Sequence, residues 1–284
     1  MKTVAPLCLA VLLASAGRAA AEAPACRRCV AVYGDTRTGH EAHRRIVGRI
    51  LALKPAAVFH TGDMVSNGYS EADWKRFVDI SSGLMSTAEF FPALGNHDRH
   101  APLYFSTFKQ DPKTPWYSVD RFGVHFVVLD SESPFWKGTS QGTWLREDLA
   151  AASAKPGLRH IVVVLHRPVY GTGHHAPDDS TVLGPNLAPL FQKYGVGVVF
   201  SGHDHLYERS QVDGIFYVIT GGGGAPLYPK QEQPAAFSQV FKSSYNFAAL
   251  SVTPEGLLCE VFDDAGTPLD SFTVKPRPVP AGAK

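Results

Sequence analysis

The feature that most constrains this chain is a series of five short polar clusters, each placed where an apolar run ends. The apolar runs resemble buried strands, and segments with helical spacing separate them, so strand and helix alternate. The clusters are Gly34-Asp35, Gly62-Asp63, Gly95-Asn96-His97-Asp98, His166 and Gly202-His203-Asp204-His205. Because side chains just past strand ends meet at one edge of an open α/β sheet, we expect the clusters to form one pocket.

These clusters combine carboxylate, amide and imidazole groups, which is a ligand set for two adjacent divalent metal ions. Two ions about 3.5–4 Å apart would need a shared ligand, and the carboxylate of Asp63 is the candidate bridge. Asp, Asn and Gly are also ordinary turn residues after strands. Turn chemistry does not account for Asn96-His97-Asp98 or for the pair His203 and His205, so the sequence predicts a metal-dependent hydrolase.

The N-terminal segment has the organisation of a secretory signal peptide. Lys2 precedes an apolar stretch centred on 8–13, and Ala19-Ala20-Ala21 forms a small-residue cleavage site. The apolar stretch is shorter than the ~20 residues that a membrane span needs. We therefore predict a signal peptide over 1–21, a single domain over 22–284, no membrane anchor after cleavage, and a periplasmic or secreted protein.

The charge of the chain argues against a polyanionic partner. Cleavage would remove two of the 27 basic residues and none of the 26 acidic ones, so the formal charge moves from +1 to −1. A near-neutral chain gives no electrostatic reason to bind nucleic acid or a membrane surface. The expected partner is a small molecule, and the oligomeric state stays open.

Three cysteines would remain after cleavage. In an oxidising compartment Cys26 and Cys29 are expected to pair with each other, or one of them with Cys259. A Cys-x-x-Cys pair also suggests redox or zinc chemistry, but this one precedes a strand and no second ligand pair follows it. A structural disulfide is the favoured interpretation.

Further elements are predicted from spacing and turn residues. An apolar stripe that includes Ile46 and Ile50 predicts a helix over 41–53, and Ser70 with Asp73 forms a capping box for a second helix. The remaining predictions are hairpins turning at 121–123 and 253–256, and helices over 143–154 and 187–194. Antiparallel strands thus extend a sheet that begins with helical crossovers.

The five clusters resemble the motif series of the calcineurin-like metallophosphoesterases, which runs Asp-x-His, Gly-Asp, Gly-Asn-His-Asp/Glu, His and Gly-His-x-His. The match is in the correct order and extends from Val30 to about Gly224. By resemblance, the fold class is α/β, with a four-layer α/β/β/α sandwich of two mixed sheets flanked by helices.

The resemblance also implies a role for each motif residue. Asp35, Asp63 and His205 would hold one metal ion, and Asp63, Asn96, His166 and His203 the other. His97 would protonate the leaving oxygen or bind phosphate, with Asp98 orienting its ring. A hydroxide between two divalent ions (Mn, Zn or Fe, with the identity left open) would be the nucleophile.

One position departs from the family pattern, because Arg37 stands where the first motif usually ends in histidine. A guanidinium has no lone pair to give, so Arg37 cannot ligate a metal ion. It would instead contact the substrate phosphate, or be an ordinary surface arginine paired with a carboxylate. His43 is a candidate for the missing imidazole, although we favour the interpretation that it faces solvent on the first helix.

The stretches 202–209 and 221–224 resemble the purple acid phosphatase branch. That branch places a tyrosine, which binds ferric iron, three residues after the bridging aspartate, whereas this chain has Ser66 there. Without a phenolate ligand, we expect no tyrosinate-to-iron absorption band.

The leading hypothesis is therefore an exported enzyme that hydrolyses phosphomonoesters or phosphodiesters. One alternative is a catalytically silent exported module that binds phosphate or metal, because Arg37 weakens the first metal site. Another is a hydrolase of nucleotides or diphosphates, for which Trp116 and nearby aromatics would stack on a base.

Overall fold

The structure is a computed structural model that describes residues 30–229 and 235–277. The predicted signal peptide over 1–21 and the residues Cys26 and Cys29 lie outside the described residues, so the predictions about them stay predictions. Cys259 is buried and has no disulfide partner among the described residues. Within the described residues, no helix is long and apolar enough to cross a membrane.

The chain forms thirteen strands and five helices over the described residues. The strands are β1 (Val30–Tyr33), β2 (Ala57–His60), β3 (Glu89–Pro92), β4 (Tyr117–Arg121), β5 (Val124–Val128), β6 (His160–Val164), β7 (Val198–Ser201), β8 (Tyr207–Val212), β9 (Ile215–Thr220), β10 (Ser238–Lys242), β11 (Asn246–Val252), β12 (Leu257–Asp263) and β13 (Pro268–Val274). The helices are α1 (His40–Leu53), α2 (Glu71–Thr87), α3 (Pro102–Phe108), α4 (Ser140–Ala154) and α5 (Ala176–Tyr194).

The strands form two mixed sheets. The first has six strands in the order β13-β12-β11-β1-β2-β3, in which β1, β2 and β3 are parallel. The second has seven strands in the order β10-β8-β9-β7-β6-β5-β4, in which β5, β6, β7 and β9 are parallel. Helices connect β1 to β2, β2 to β3, β5 to β6 and β6 to β7, whereas the chain passes from β7 to β9 through the strand β8; antiparallel strands extend both sheets outward.

The two sheets pack face to face through one apolar core. Phe59 of the first sheet stacks on Phe126 of the second, with ring centroids 4.4 Å apart. On the outer faces, Ile46 and Ile50 of α1 pack on the first sheet, and Leu145 of α4 packs on the second. The four-layer α/β sandwich predicted by resemblance is confirmed.

Most predicted elements occur with shifts of a few residues, but two helices differ. The helix predicted over 187–194 begins at Ala176, and Pro185 and Pro189 lie inside it. Prolines predict a break because each lacks an N–H and crowds the preceding turn. The buried face of α5, which includes Leu183 and Phe191, outweighs that cost. The short helix α3 was not predicted.

Candidate metal centre

The carboxyl ends of the parallel strands bring the predicted polar residues together. Asp35 follows β1, Asp63 follows β2, and His97 lies a few residues after β3, all in the first sheet. His166 follows β6 and His203 follows β7 in the second sheet. The site therefore lies between the two sheets, with each sheet contributing one half.

Three of these residues converge closely enough to hold one metal ion. Ligand atoms of Asp63, His166 and His203 all lie within 4.8 Å of one another, and all three residues are buried. His166 Nε2 is 3.5 Å from Asp63 Oδ1 and 3.1 Å from His203 Nδ1. One oxygen and two imidazole donors form a set that suits zinc, iron or manganese.

Asn96 adds a fourth donor beside His166. The Nδ1 of His166 lies 2.9 Å from the carbonyl of Thr61, which can only accept, so Nδ1 carries the proton and Nε2 presents a lone pair. Asn96 Oδ1 is 2.9 Å from that Nε2. Two acceptor atoms this close repel each other unless a cation lies beside both. When an ion forms bonds of about 2.0–2.1 Å, its neighbouring ligand atoms lie about 3 Å apart, which is the separation of these two atoms. The four residues therefore fit a metal ion.

Asp35 and His205 lie next to this group but are arranged differently. Both carboxylate oxygens of Asp35 accept from the backbone N–H of His203, each at 3.1 Å. His205 Nδ1 donates to the carbonyl of Pro226 at 2.8 Å, and its Nε2 is 3.7 Å from Asp35 Oδ1. The His205 ring also stacks on Tyr228, with centroids 4.4 Å apart.

Arg37 lies inside the site, and its side chain is only 19 % exposed. Its Nε is 3.6 Å from Asp63 Oδ2, and its Nη2 is 3.4 Å from His205 Nε2. The guanidinium thus lies between two residues that the resemblance assigns to the first metal ion. Arg37 therefore pairs with a carboxylate at the site and not on an open surface, and its contact with a substrate phosphate stays a prediction.

His97 borders the metal group and is partly exposed. Its backbone N–H donates to Asp63 Oδ1 at 2.8 Å, and its Nδ1 donates to the carbonyl of Ser66 at 2.9 Å. The Nε2 is 4.0 Å from Asp63 Oδ2. Since Nδ1 carries the proton in the neutral ring, Nε2 is the atom that can take up a proton and give it away.

The prediction that Asp98 orients the His97 ring is wrong, because the carbonyl of Ser66 does so. Asp98 is fully buried, and its carboxylate accepts from three backbone N–H groups, those of Asp63, Met64 and Gly95, at 2.9–3.0 Å. Asp98 therefore fastens the loop after β2 to the loop after β3.

The backbone at the site adopts conformations that only the surrounding structure can maintain. Asp35, Asp63 and His203 have φ angles of 59°, 55° and 67°, in the left-handed region. A backbone conformation of this kind costs of order 1–3 kcal/mol of folding free energy per residue, and residues that adopt it cluster at functional sites. Gly95 is required for a related reason, because a Cβ there would clash with the backbone nitrogen and a carboxylate oxygen of Asp63.

Burial sets the protonation states of the site. Burial, opposed by the hydrogen bond to Pro226 and aided by the nearby guanidinium of Arg37, lowers the pKa of His205 to about 4. Burial, together with the neighbouring His166, likewise lowers the pKa of His203. Burial and the Asp63 carboxylate raise the pKa of Asp35. Neutral imidazoles with free lone pairs are the form that binds metal ions.

Three residues at the site were not singled out from the sequence. Arg167 forms a bidentate ion pair with Glu132, with N–O distances of 2.6 and 3.0 Å. Its Nη1 is 3.3 Å from His203 Nε2. Asp179 of α5 places Oδ2 3.6 Å from the same Nε2, and this buried oxygen has no hydrogen-bond partner among the described residues. The position of Arg167 directly after His166 was the available signal.

The two other histidines near the motifs lie away from the ligand group. His43 is not on the solvent side of α1, as favoured from the sequence, but buried, with its ring stacked on Phe77 and its Nε2 3.4 Å from Ser81 Oγ. It faces α2 and not the first metal position. His60 is buried and accepts from the N–H of Gly62 at 3.2 Å.

The sequence profile of the calcineurin-like phosphoesterases matches residues 30–207, which contain every predicted ligand. The chain belongs to the calcineurin-like phosphoesterase family. It is 29 % identical to a phosphoenolpyruvate phosphatase of Allium cepa over 203 residues, covering 63 % of this chain and 42 % of that protein. It is 26 % identical to the probable inactive purple acid phosphatase 1 of Arabidopsis thaliana over 267 residues, covering 78 % of this chain and 43 % of that protein.

The fold of this chain is also similar to solved structures. The purple acid phosphatase PPD1 of yellow lupin (Lupinus luteus) matches with a TM-score of 0.76 at 21 % identity, covering 87 % of this chain and 53 % of that one. The predicted resemblance to the purple acid phosphatase branch is confirmed. The chain nevertheless spans less than half the length of the two plant relatives named above.

Proposed function

We propose that this phosphoesterase is an exported, metal-dependent hydrolase of phosphomonoesters or phosphodiesters. The observation that carries the proposal is the convergence of Asp63, His166 and His203, with ligand atoms within 4.8 Å of one another. Asn96 and His97 border the same point. Carboxylate, imidazole and amide donors next to a partly exposed histidine are the groups that metal-assisted ester hydrolysis needs.

A divalent ion would be held by Asp63, Asn96, His166 and His203. Such an ion polarises a phosphoryl oxygen and lowers the pKa of water toward neutrality. The protein orients its donors before any ion binds: Thr61 fixes the tautomer of His166, and the strained backbone at Asp63 directs the carboxylate inward. A two-ion centre, as the resemblance implies, additionally requires an ion at Asp35, Asp63 and His205, and that second ion remains a prediction.

His97 is the proposed acid for the leaving oxygen. Its Nδ1 is held by the carbonyl of Ser66, so the ring cannot rotate freely and Nε2 stays on the metal side of the site. Its side chain is 30 % exposed, which leaves access for an ester. A positioned acid of this kind contributes about 10²–10⁴-fold to a rate.

The proposed substrate is a small phosphate ester met outside the cytoplasm. The near-neutral charge after cleavage and the predicted signal peptide over 1–21 support a small-molecule partner in the periplasm or medium. Hydrolysis of nucleotides or diphosphates is a second candidate, supported by a cavity of about 450 Å³. His100, Lys113 and Trp116 line it, and so combine an aromatic face with cationic groups.

The test is to strip the protein with a chelator and measure hydrolysis of p-nitrophenyl phosphate, its bis-ester and a nucleoside diphosphate. We expect no turnover of the stripped protein and turnover of at least one ester after Mn²⁺ or Zn²⁺ is added. Metal binding without turnover of any of the three esters would overturn the enzyme proposal and favour a silent binding module.

A further inference from the structure

The first metal position implied by the family is occupied by a side chain of this protein. The guanidinium of Arg37 lies 3.6 Å from Asp63 through Nε and 3.4 Å from His205 through Nη2. Its Nε is buried and has no hydrogen-bond partner among the described residues. A buried cation held beside a carboxylate and an imidazole takes the electrostatic place of a metal ion.

The tautomer of His205 supports the interpretation that Arg37 takes the place of an ion. Its Nδ1 donates to the carbonyl of Pro226 at 2.8 Å, so the lone pair is on Nε2. That atom faces Nη2 of Arg37 and accepts from it. The only ring nitrogen of His205 that is available to a metal ion is therefore engaged by the guanidinium.

Asp35, which the resemblance also assigns to the first position, is held by the backbone of a neighbouring loop. Both oxygens of Asp35 accept from the backbone N–H of His203. Within the described ranges, 30–229 and 235–277, the one group of acidic, histidine or cysteine side chains whose ligand atoms converge is Asp63 with His166 and His203. The chain thus offers one well-formed metal position.

The residue at position 66 also supports a first position without a metal ion. Ser66 stands where the purple acid phosphatase branch has its tyrosine ligand, and its hydroxyl donates to the carbonyl of Arg37 at 3.1 Å. The two ligand positions at which this chain departs from its family are therefore in contact with each other. Ser66 therefore supplies no phenolate ligand, and its contact holds the backbone of Arg37.

An ion and the guanidinium cannot share this space. An ion that binds both Asp63 Oδ2 and His205 Nε2 would compete with the guanidinium for the same two atoms, because Arg37 nitrogens lie 3.4–3.6 Å from them. Two like charges about 4 Å apart also repel by several kcal/mol where water is largely excluded. One of the two cations must leave.

We propose that this protein binds one divalent ion, at Asp63, Asn96, His166 and His203, and that Arg37 takes the place of the second. The inference rests on the proposed function and deepens it. A guanidinium stays protonated and cannot activate water, so Arg37 supplies only charge and hydrogen bonds toward a phosphoryl oxygen. Water activation then depends on the single ion.

The test is a metal count on the full-length protein in the absence of substrate. The chelator-stripped protein is equilibrated with Mn²⁺, freed of excess metal and analysed by plasma mass spectrometry. Electron paramagnetic resonance in parallel distinguishes isolated Mn²⁺ from a coupled pair. We expect one Mn²⁺ per wild-type chain, with the spectrum of an isolated ion.

Arg37→His restores the family motif and should raise the count to two ions per chain, with a coupled spectrum. Arg44→His is the matched control, because it adds an imidazole at an exposed arginine of α1, and it should leave the count at one. Two coupled ions in the wild type would overturn the inference and leave the proposed function intact. No bound ion in the wild type would overturn both. The wild-type count decides even if Arg37→His fails to fold.

Discussion

Two histidine–carboxylate clusters in this protein differ in how their polar groups are satisfied. At His125, both ring nitrogens have a carboxylate partner: Nδ1 is 2.7 Å from Asp120, and Nε2 is 2.9 Å from Asp148. Lys155 and Ser118 in turn bond to those carboxylates. At the candidate metal centre, lone pairs of Asn96, His166 and Asp63 instead face one another, and the backbone is strained.

The difference separates a structural ion pair from a site prepared for a cation. Buried polar groups are normally paired within the protein, so a cluster that pairs all its members needs no ligand. A cluster whose lone pairs face each other, as those of Asn96 Oδ1 and His166 Nε2 do, is stable only because the rest of the fold maintains it. The four predictions that follow test this distinction, from the largest expected effect to the smallest.

Asp63→Asn should remove activity almost entirely, because an amide is a poorer ligand than a carboxylate and carries no charge. We expect a loss of at least about 10³-fold in kcat/KM on p-nitrophenyl phosphate, since a catalytic ion contributes several kcal/mol. Metal content should fall in the same variant. Asp120→Asn is the control at the paired cluster, and it should retain both activity and metal. Full turnover by Asp63→Asn would show that the convergent cluster is not the catalytic centre.

His97→Ala should slow hydrolysis by roughly 10²–10⁴-fold while leaving metal content near the wild-type value, because His97 touches the site without belonging to the ligand group. The loss should be smaller for an ester with a better leaving group, which needs less protonation. Loss of metal along with activity would reassign His97 to the ligands.

Asp179→Ala should weaken metal binding by about 10–100-fold, the usual effect of removing a carboxylate behind a histidine ligand. The buried, unpartnered oxygen of Asp179 is the natural acceptor for an Nε2–H of His203 when Nδ1 binds the ion. Calorimetric titration with Zn²⁺ measures the change. Asp178→Ala, one residue away and exposed, should bind Zn²⁺ as tightly as the wild type. Equal affinity in both variants would exclude a positioning role for Asp179.

His125→Gln should affect stability and not catalysis. Burial lowers the pKa of His125, but the hydrogen bonds to Asp148 and Asp120 outweigh burial and raise it above its ordinary value. The cationic ring therefore stabilises the fold fully below the unfolded pKa of about 6.5, and this stabilisation is lost as pH rises through the folded pKa. Urea unfolding should give a difference between wild type and variant, of order 1–3 kcal/mol, that is larger at pH 6 than at pH 9. A difference independent of pH would show that the charge of His125 contributes nothing.

The sequence predicted the parts of the fold that follow from local pattern. Buried strands that end in Gly-Asp or Gly-Asn-His placed the candidate ligands, because parallel strands share a carboxyl edge. The amphipathic stripe of α1 and the cap at Ser70 likewise depend on neighbours in the chain, and Ser70 accepts from the N–H of Asp73 at 3.2 Å. These features need no knowledge of tertiary contacts.

What the sequence could not predict depends on partners that are distant along the chain. His43 was expected to face solvent, although it lies seven residues before Ile50 on the apolar stripe of α1; what the sequence could not show is its ring partner Phe77 in α2. The bonds of Asp98 to Asp63 and Met64 join two loops 34–35 residues apart, and the proximity of Asp179 to His203 spans 24 positions. The position of Arg37 between Asp63 and His205 also follows only from the packing of the two sheets.

The location of the centre between the sheets has a consequence for the whole molecule. Asp63 extends from the first sheet, whereas His166 and His203 extend from the second, so a bound ion would cross-link two layers that otherwise adhere through apolar side chains. An ion that binds only the folded chain at 100 times its dissociation constant adds about 2.7 kcal/mol to the free energy of unfolding. The melting temperature would then rise with the fraction of protein that holds an ion. Thermal denaturation could therefore measure metal binding without any substrate.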